Sequence, residues 1–165
     1  MGKRLRQYMG WICAVAGYYL VHEGAHLLCA WWMGSFRAIR FLGLGIQIDV
    51  YGQQMSPLQM GLFCLSGALA TAVAGYGLAA LAGRICKHPS KVYKACMYYL
   101  TMAFLFVDPL YLSVLCGLFG GGDMNGIALL VPEAAARVGF GCILLLNALL
   151  FARVILPRYQ QAFSN

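Results

Sequence analysis

The sequence predicts an all-α polytopic membrane protein: about four transmembrane helices, a short β-hairpin between helices 1 and 2, and a re-entrant Gly-rich loop after helix 3. Three observations lead there. Of 165 residues, 62% are hydrophobic and only 10% charged. A soluble domain carries about 25% charged residues to cover its surface, so lipid must be the main solvent here. Apolar runs of about 20 residues, the length that spans a bilayer, recur four times. Lys and Arg, finally, collect on alternate connections between those runs, as membrane topology demands.

The spans read as about 8–33, 58–83, 93–119 and 134–155, within a single membrane-embedded domain covering 1–165. The N-terminus, Met1-Gly-Lys-Arg-Leu-Arg6, resembles the start of a signal peptide, and Ala14-Val-Ala16 resembles a cleavage site. The apolar stretch before that site is too short, however, and the run continues past it, so an uncleaved first span is expected. Lys3, Arg4 and Arg6 precede span one. Arg84, Lys87, Lys91 and Lys94 separate spans two and three, and Arg153 and Arg158 close span four. These lie on one side, against Arg37, Arg40 and Arg137 on the other. Both termini are therefore expected in the cytoplasm, with the chain a multi-pass protein of the cell membrane. The net charge of +7 reads as a topology signal plus attraction to anionic lipid. No nucleic-acid partner is expected, because no basic face stands apart from the membrane flanks.

The seven cysteines (13, 29, 64, 86, 96, 116 and 142) form no C-x-x-C pair. Six fall inside apolar spans, where cysteine behaves as a small hydrophobe. Cys29 lies one turn beyond His26 and is a minor candidate for a metal nearby.

Between spans one and two the period changes. Leu44, Ile46, Ile48 and Val50 alternate with Gly45, Gln47, Asp49 and Tyr51, a strand pattern. Gly43 and Gly45 supply a turn or bulge, so a hairpin is expected across Phe36 to Tyr51. Span two carries Gly67, Thr71, Gly75, Ala79 and Gly83 at every fourth position. That stripe admits close approach of another helix in lipid. Span three is expected to break at Asp108-Pro109, because proline lacks a donor and disfavours helix in the residue before it. Its end, Gly120-Gly-Gly-Asp-Met-Asn-Gly126, is expected to be non-helical backbone lining a cavity. Pro132-Glu133 has the pattern of a helix start.

Span one contains His22-Glu-Gly-Ala-His26. Residues four apart share a helix face, so both imidazoles can reach one ion. Glu23 stands beside them, close enough to handle a proton on bound water. Zinc in such a site lowers the pKa of its water to about 7, and Glu23 would take that proton and pass it to the leaving amine. The chain has only three His and five acidic residues, and ionisable groups inside a span are costly and usually functional. The bland alternative is a polar cluster that glues helices together.

A hydrolytic zinc site takes three protein ligands and an open position. His88 falls in the basic loop on the other side, Asp49 in the hairpin, and Glu133 at a helix start. Asp108 and Asp123 remain. Asp108 lies about 16 Å from the outer end of its span at helical rise, a depth similar to His22, so geometry alone does not separate the two. Asp123 is favoured because neighbouring glycines let it turn towards a ligand. Zinc with one Asp and Glu23 sums to zero charge, which eases burial. Asn125 reads either as a partner of Asp123 or substrate, or as a turn residue. Asn147 reads as a hydrogen bond to substrate or, preferably, to a neighbouring helix.

Taken together, these features resemble the site-2 protease family of intramembrane zinc metalloproteases, in a minimal form without a PDZ domain. His22-Glu-Gly-Ala-His26 lies in the first span, and Ser66-Gly-Ala-Leu-Ala-Thr71 is similar to the family's Gly-Pro-x-x-Asn segment. Gly-Asp-Met-Asn-Gly, 122–126, follows at a separation like that of its Asp-Gly motif. The sequence departs in having Ala68 for the proline, Thr71 for the asparagine, and Met124 after Asp123. Charge counting also puts the motif nearer the outer face, whereas familiar members have it nearer the cytoplasm. The resemblance implies His22, His26 and Asp123 as ligands of Zn2+, Glu23 as the catalytic acid/base, and a membrane-associated hairpin. The expected activity is hydrolysis of a peptide bond in a transmembrane or membrane-anchored protein substrate. The rival expectation is a non-catalytic, metal-binding membrane scaffold or regulatory partner.

Overall fold

A computed structural model describes residues 2–42 and 45–164. The expected turn residue Gly43 and the strand residue Leu44 lie outside the described residues. The chain is mostly helical, with a single two-stranded sheet among the described residues. Helix α1 spans Lys3–Trp32. It is followed by the antiparallel strands β1, Phe36–Leu42, and β2, Gly45–Val50, whose register shifts between Phe36 and Ala38. Arg37 and Arg40 of β1 pair with Asp49 of β2, at 3.5 and 2.8 Å. Ile48 is the buried strand residue, packing with Ala30, Phe63 and Ala68.

Helix α2, Pro57–Cys86, opens on a capping box. Ser56 Oγ accepts from the Gln59 amide, the Gln59 side chain accepts from the Ser56 amide, and Pro57 follows at the first helical position. Two orphan donors are thereby satisfied at a site where proline costs nothing. The small-residue stripe becomes the packed face of α2. At Gly75 an added Cβ would lie 2.9 Å from the Leu105 side chain of the next helix, and Ala79 is buried. At Gly83 the stripe has run out, with nothing within 4 Å.

Helix α3, Lys91–Leu110, differs from expectation. It does not break at Asp108-Pro109 but continues through the proline and passes into a π-helical segment, Tyr111–Leu115. Pro109 has no N–H for the carbonyl of Leu105, four residues back. The Asn147 amide donates to that oxygen instead, at 2.6 Å, and Tyr76 Oη donates to Asn147 Oδ1 at 2.7 Å. A neighbouring helix thus repairs the ladder, as membrane helices permit.

Gly120, Gly121 and Gly122 follow, with φ of +81°, +87° and +46°. This left-handed run, closed to most side chains, reverses the chain into a short helix α4, Asp123–Ile127. Asn125 donates to the Gly120 carbonyl at 3.2 Å, so its role is to staple the turn. Helix α5, Glu133–Leu150, runs through a π-helical segment, Phe151–Ile155, into α6, Leu156–Ser164. Lys94 at the start of α3 is buried, its ammonium donating to the Ala162 carbonyl at 2.7 Å in the last turn of α6. A cation there complements the negative end of the helix dipole.

Three helical stretches are long and apolar enough to cross a bilayer: Pro57–Cys86, Lys91–Leu115 and Glu133–Ser164. Large apolar side chains stand exposed along them, among them Val73, Val114, Leu145 and Leu149. The chain is a membrane protein on this ground.

Candidate metal centre

His22 and His26 lie one turn apart on α1 and both are buried. Their Nε2 atoms are 3.2 Å apart. Asp123 Oδ2, at the start of α4, lies 3.2 Å from His22 Nε2 and 3.4 Å from His26 Nε2. The three ligand atoms form a nearly equilateral triangle.

Two features place the triangle. Gly67 of α2 sits directly against the rings: an added Cβ would meet His22 Cε1 at 2.6 Å and His26 Nε2 at 2.7 Å. Gly126 of α4 faces Cys64 and the Met60 carbonyl of α2 with no room for a side chain. Close approach of α4 to α2 then carries Asp123 to the histidines.

The tautomers follow from partners that can only accept. His26 Nδ1 lies 2.8 Å from the Phe63 carbonyl, so it carries the hydrogen and donates. His22 Nδ1 lies 3.2 Å from Asp108 Oδ1 and 3.3 Å from Tyr18 Oη. The Tyr18 hydroxyl already donates to Asp108 Oδ1 at 2.5 Å, so His22 Nδ1 also donates. With both rings neutral, the two Nε2 lone pairs face each other and a carboxylate oxygen. Three acceptors this close repel unless a metal ion, or a proton on one of the rings, lies between them.

A zinc ion would fit among these three donors. With bonds of about 2.0–2.1 Å, tetrahedral ligands stand about 3.3–3.4 Å apart; the triangle edges are 3.2, 3.2 and 3.4 Å. Two imidazoles and one carboxylate suit zinc's donor preference. A groove of about 340 Å³, lined by Tyr18, His22, Glu23, Asp108, Tyr111 and Asp123, opens onto the cluster. His22, Glu23 and Asp123 are thus brought to one groove, with His26 buried behind.

No family model, curated protein or solved structure matches this chain.

The remaining candidates sit elsewhere. Asp108 lies on the Nδ1 side of His22, away from the triangle. The Cys29 thiol faces Met33 Sδ at 4.0 Å. His88 Nδ1 accepts from the Ser90 amide at 3.1 Å in the turn between α2 and α3. Glu133 Oε1 pairs with Arg137 at 3.3 Å within α5. The sequence reading misses Tyr18, and it names Ser66 and Thr71 only as the ends of a motif-like segment, not for the contacts they make. Tyr18 had a signal, standing four residues before His22 on the same helix face. Ser66 Oγ lies 3.2 Å from His26 Nδ1 and donates to the Phe63 carbonyl at 2.7 Å. Thr71 donates to Asp108 Oδ2. Neither contact has a local sequence signature.

Proposed function

We propose that this chain is an intramembrane zinc metalloprotease of site-2 protease type, hydrolysing a peptide bond of a transmembrane or membrane-anchored protein. The observation that carries the reading is the His22–His26–Asp123 triangle, sized for a tetrahedral ion, with Glu23 on the groove that opens onto it.

In this reading His22 Nε2, His26 Nε2 and Asp123 Oδ2 would hold zinc. Bound there, the ion would supply Lewis acidity, lowering the pKa of a water to about 7. Glu23 takes a proton from the attacking water and returns it to the leaving amine. The Phe63 carbonyl and Asp108 hold the imidazoles so that neither ring turns during turnover. A substrate helix hides its peptide bonds in its own hydrogen bonds and must unwind first. The two-stranded hairpin, with open edges, offers a pairing partner for the extended segment.

The membrane arrangement belongs to the same proposal. Helix α1 crosses as a fourth span beside the three apolar stretches, and the Gly120–Gly122 turn with α4 dips back as a re-entrant loop. Both termini face the cytoplasm by the Lys and Arg count.

Purified protein in bilayers, given a tethered membrane substrate, tests the reading. Glu23→Gln should hold zinc in wild-type amount and cleave about 10²–10⁴-fold more slowly. Cleavage at the wild-type rate by Glu23→Gln would sink it; zinc without turnover in either protein would leave the metal a structural one.

A further inference from the structure

We propose that Asp108 is a positioning residue for His22, held by Tyr18 and Thr71 so that the ring presents Nε2 to the metal; this deepens, and rests on, the zinc reading above. Two acidic residues approach His22, one at each ring nitrogen. Asp123 Oδ2 is 3.2 Å from Nε2, and Asp108 Oδ1 is 3.2 Å from Nδ1. Both are too close to the ring for either to be a bystander. They divide the work by side.

Asp108 is occupied at both oxygens. Oδ1 takes the Tyr18 hydroxyl at 2.5 Å and faces His22 Nδ1, and Oδ2 takes the Thr71 hydroxyl. The residue is 3% exposed and Thr71 fully buried. A carboxylate engaged by three donors has its charge satisfied where it stands, on the Nδ1 side of the ring and away from the triangle. Its hydrogen bond with His22 selects the tautomer, because the nitrogen that donates to the carboxylate cannot be the one that binds metal. His26 is treated in parallel by the Phe63 carbonyl at 2.8 Å and Ser66 at 3.2 Å. One nine-residue stretch of α2, from Phe63 to Thr71, therefore supports both ligand rings. Gly67 within it brings the helix close enough to do so. The Thr71 hydroxyl faces Asp108 and the Gly67 and Ala68 carbonyls, and its full burial leaves Thr71 a support for the ligand shell and not a contact for substrate.

Nitrogen NMR on metal-free, ¹⁵N-histidine-labelled protein tests this, since the chain has only three His. At a pH where the rings are neutral, wild-type His22 should carry its proton on Nδ1. Asp108→Ala should convert it to the Nε2-protonated form or a mixture, and Asp108→Asn, which still accepts from Nδ1, should retain the wild-type pattern. Zinc competition then reads the consequence: about 10–100-fold weaker binding in Asp108→Ala, with Asp108→Asn in between. Thr71→Val should weaken zinc about tenfold and Thr71→Ser restore it, a comparison that leaves the carboxylate intact if Asp108→Ala does not fold. An unchanged tautomer in Asp108→Ala, or equal zinc affinity in Thr71→Val and Thr71→Ser, overturns the proposal. Wild-type protein that takes up no zinc overturns the metal reading instead, while the tautomer result still decides the role of Asp108.

Discussion

The side-chain amide of Asn147 stands 2.6 Å from the carbonyl of Leu105, where the missing N–H of Pro109 would have been. The bond ties α5 to α3 at the one place where α3 cannot close its own ladder. Removing it leaves a buried carbonyl unpaired, and Tyr76 loses its acceptor as well. Asn147→Ala should therefore destabilise the fold by roughly 1–2 kcal/mol, read by denaturant unfolding in micelles. In a Pro109→Ala background the helix supplies its own donor, so the same substitution should cost less. Equal costs in both backgrounds would show that Asn147 does not serve the proline gap.

Gly67→Ala should abolish zinc binding, because its Cβ would lie within 2.8 Å of three imidazole atoms. Moving either ring away from the added carbon also moves its Nε2 out of the triangle. Gly77→Ala on the same helix, with nothing within 4 Å of the added carbon, is the control and should bind zinc normally. Metal content by elemental analysis, beside a helicity measurement, separates loss of the site from loss of the fold.

Asp123→Ala should lose stoichiometric zinc and all hydrolysis. The glycine turn and the seat of α4 on α2 do not depend on that carboxylate, so the fold should survive. Asp108→Ala should retain measurable zinc at lowered affinity. If the two variants exchanged these outcomes, the assignment of ligand and support would be reversed.

Chelation should lower thermal stability, since removing a cation leaves two lone pairs and a carboxylate oxygen facing one another at 3.2–3.4 Å. Restoring zinc to 100 times its dissociation constant should return about 2.7 kcal/mol. A melting temperature indifferent to zinc would argue against binding at this cluster.

Local periodicity made much of this protein legible in its sequence. Apolar run length marked four spans, and three of them fall on the stretches long and apolar enough to cross a bilayer; alternation around Ile46, Ile48 and Val50 marked the hairpin. Spacing of four put His22 and His26 on one helix face, a consequence of helical geometry that needs no tertiary context. The same local reading failed at Pro109, where it predicted a break. The donor that closes the gap comes from Asn147, distant in sequence and invisible to any window around the proline. It also left Asp108 and Asp123 in competition for one metal, although they stand on opposite sides of His22. Which nitrogen each acid faces depends on how α3 packs beside α1 and how three left-handed glycines return the chain to α2. Propensity and hydropathy are set by neighbours along the chain; the direction of a buried carboxylate is set by neighbours across it.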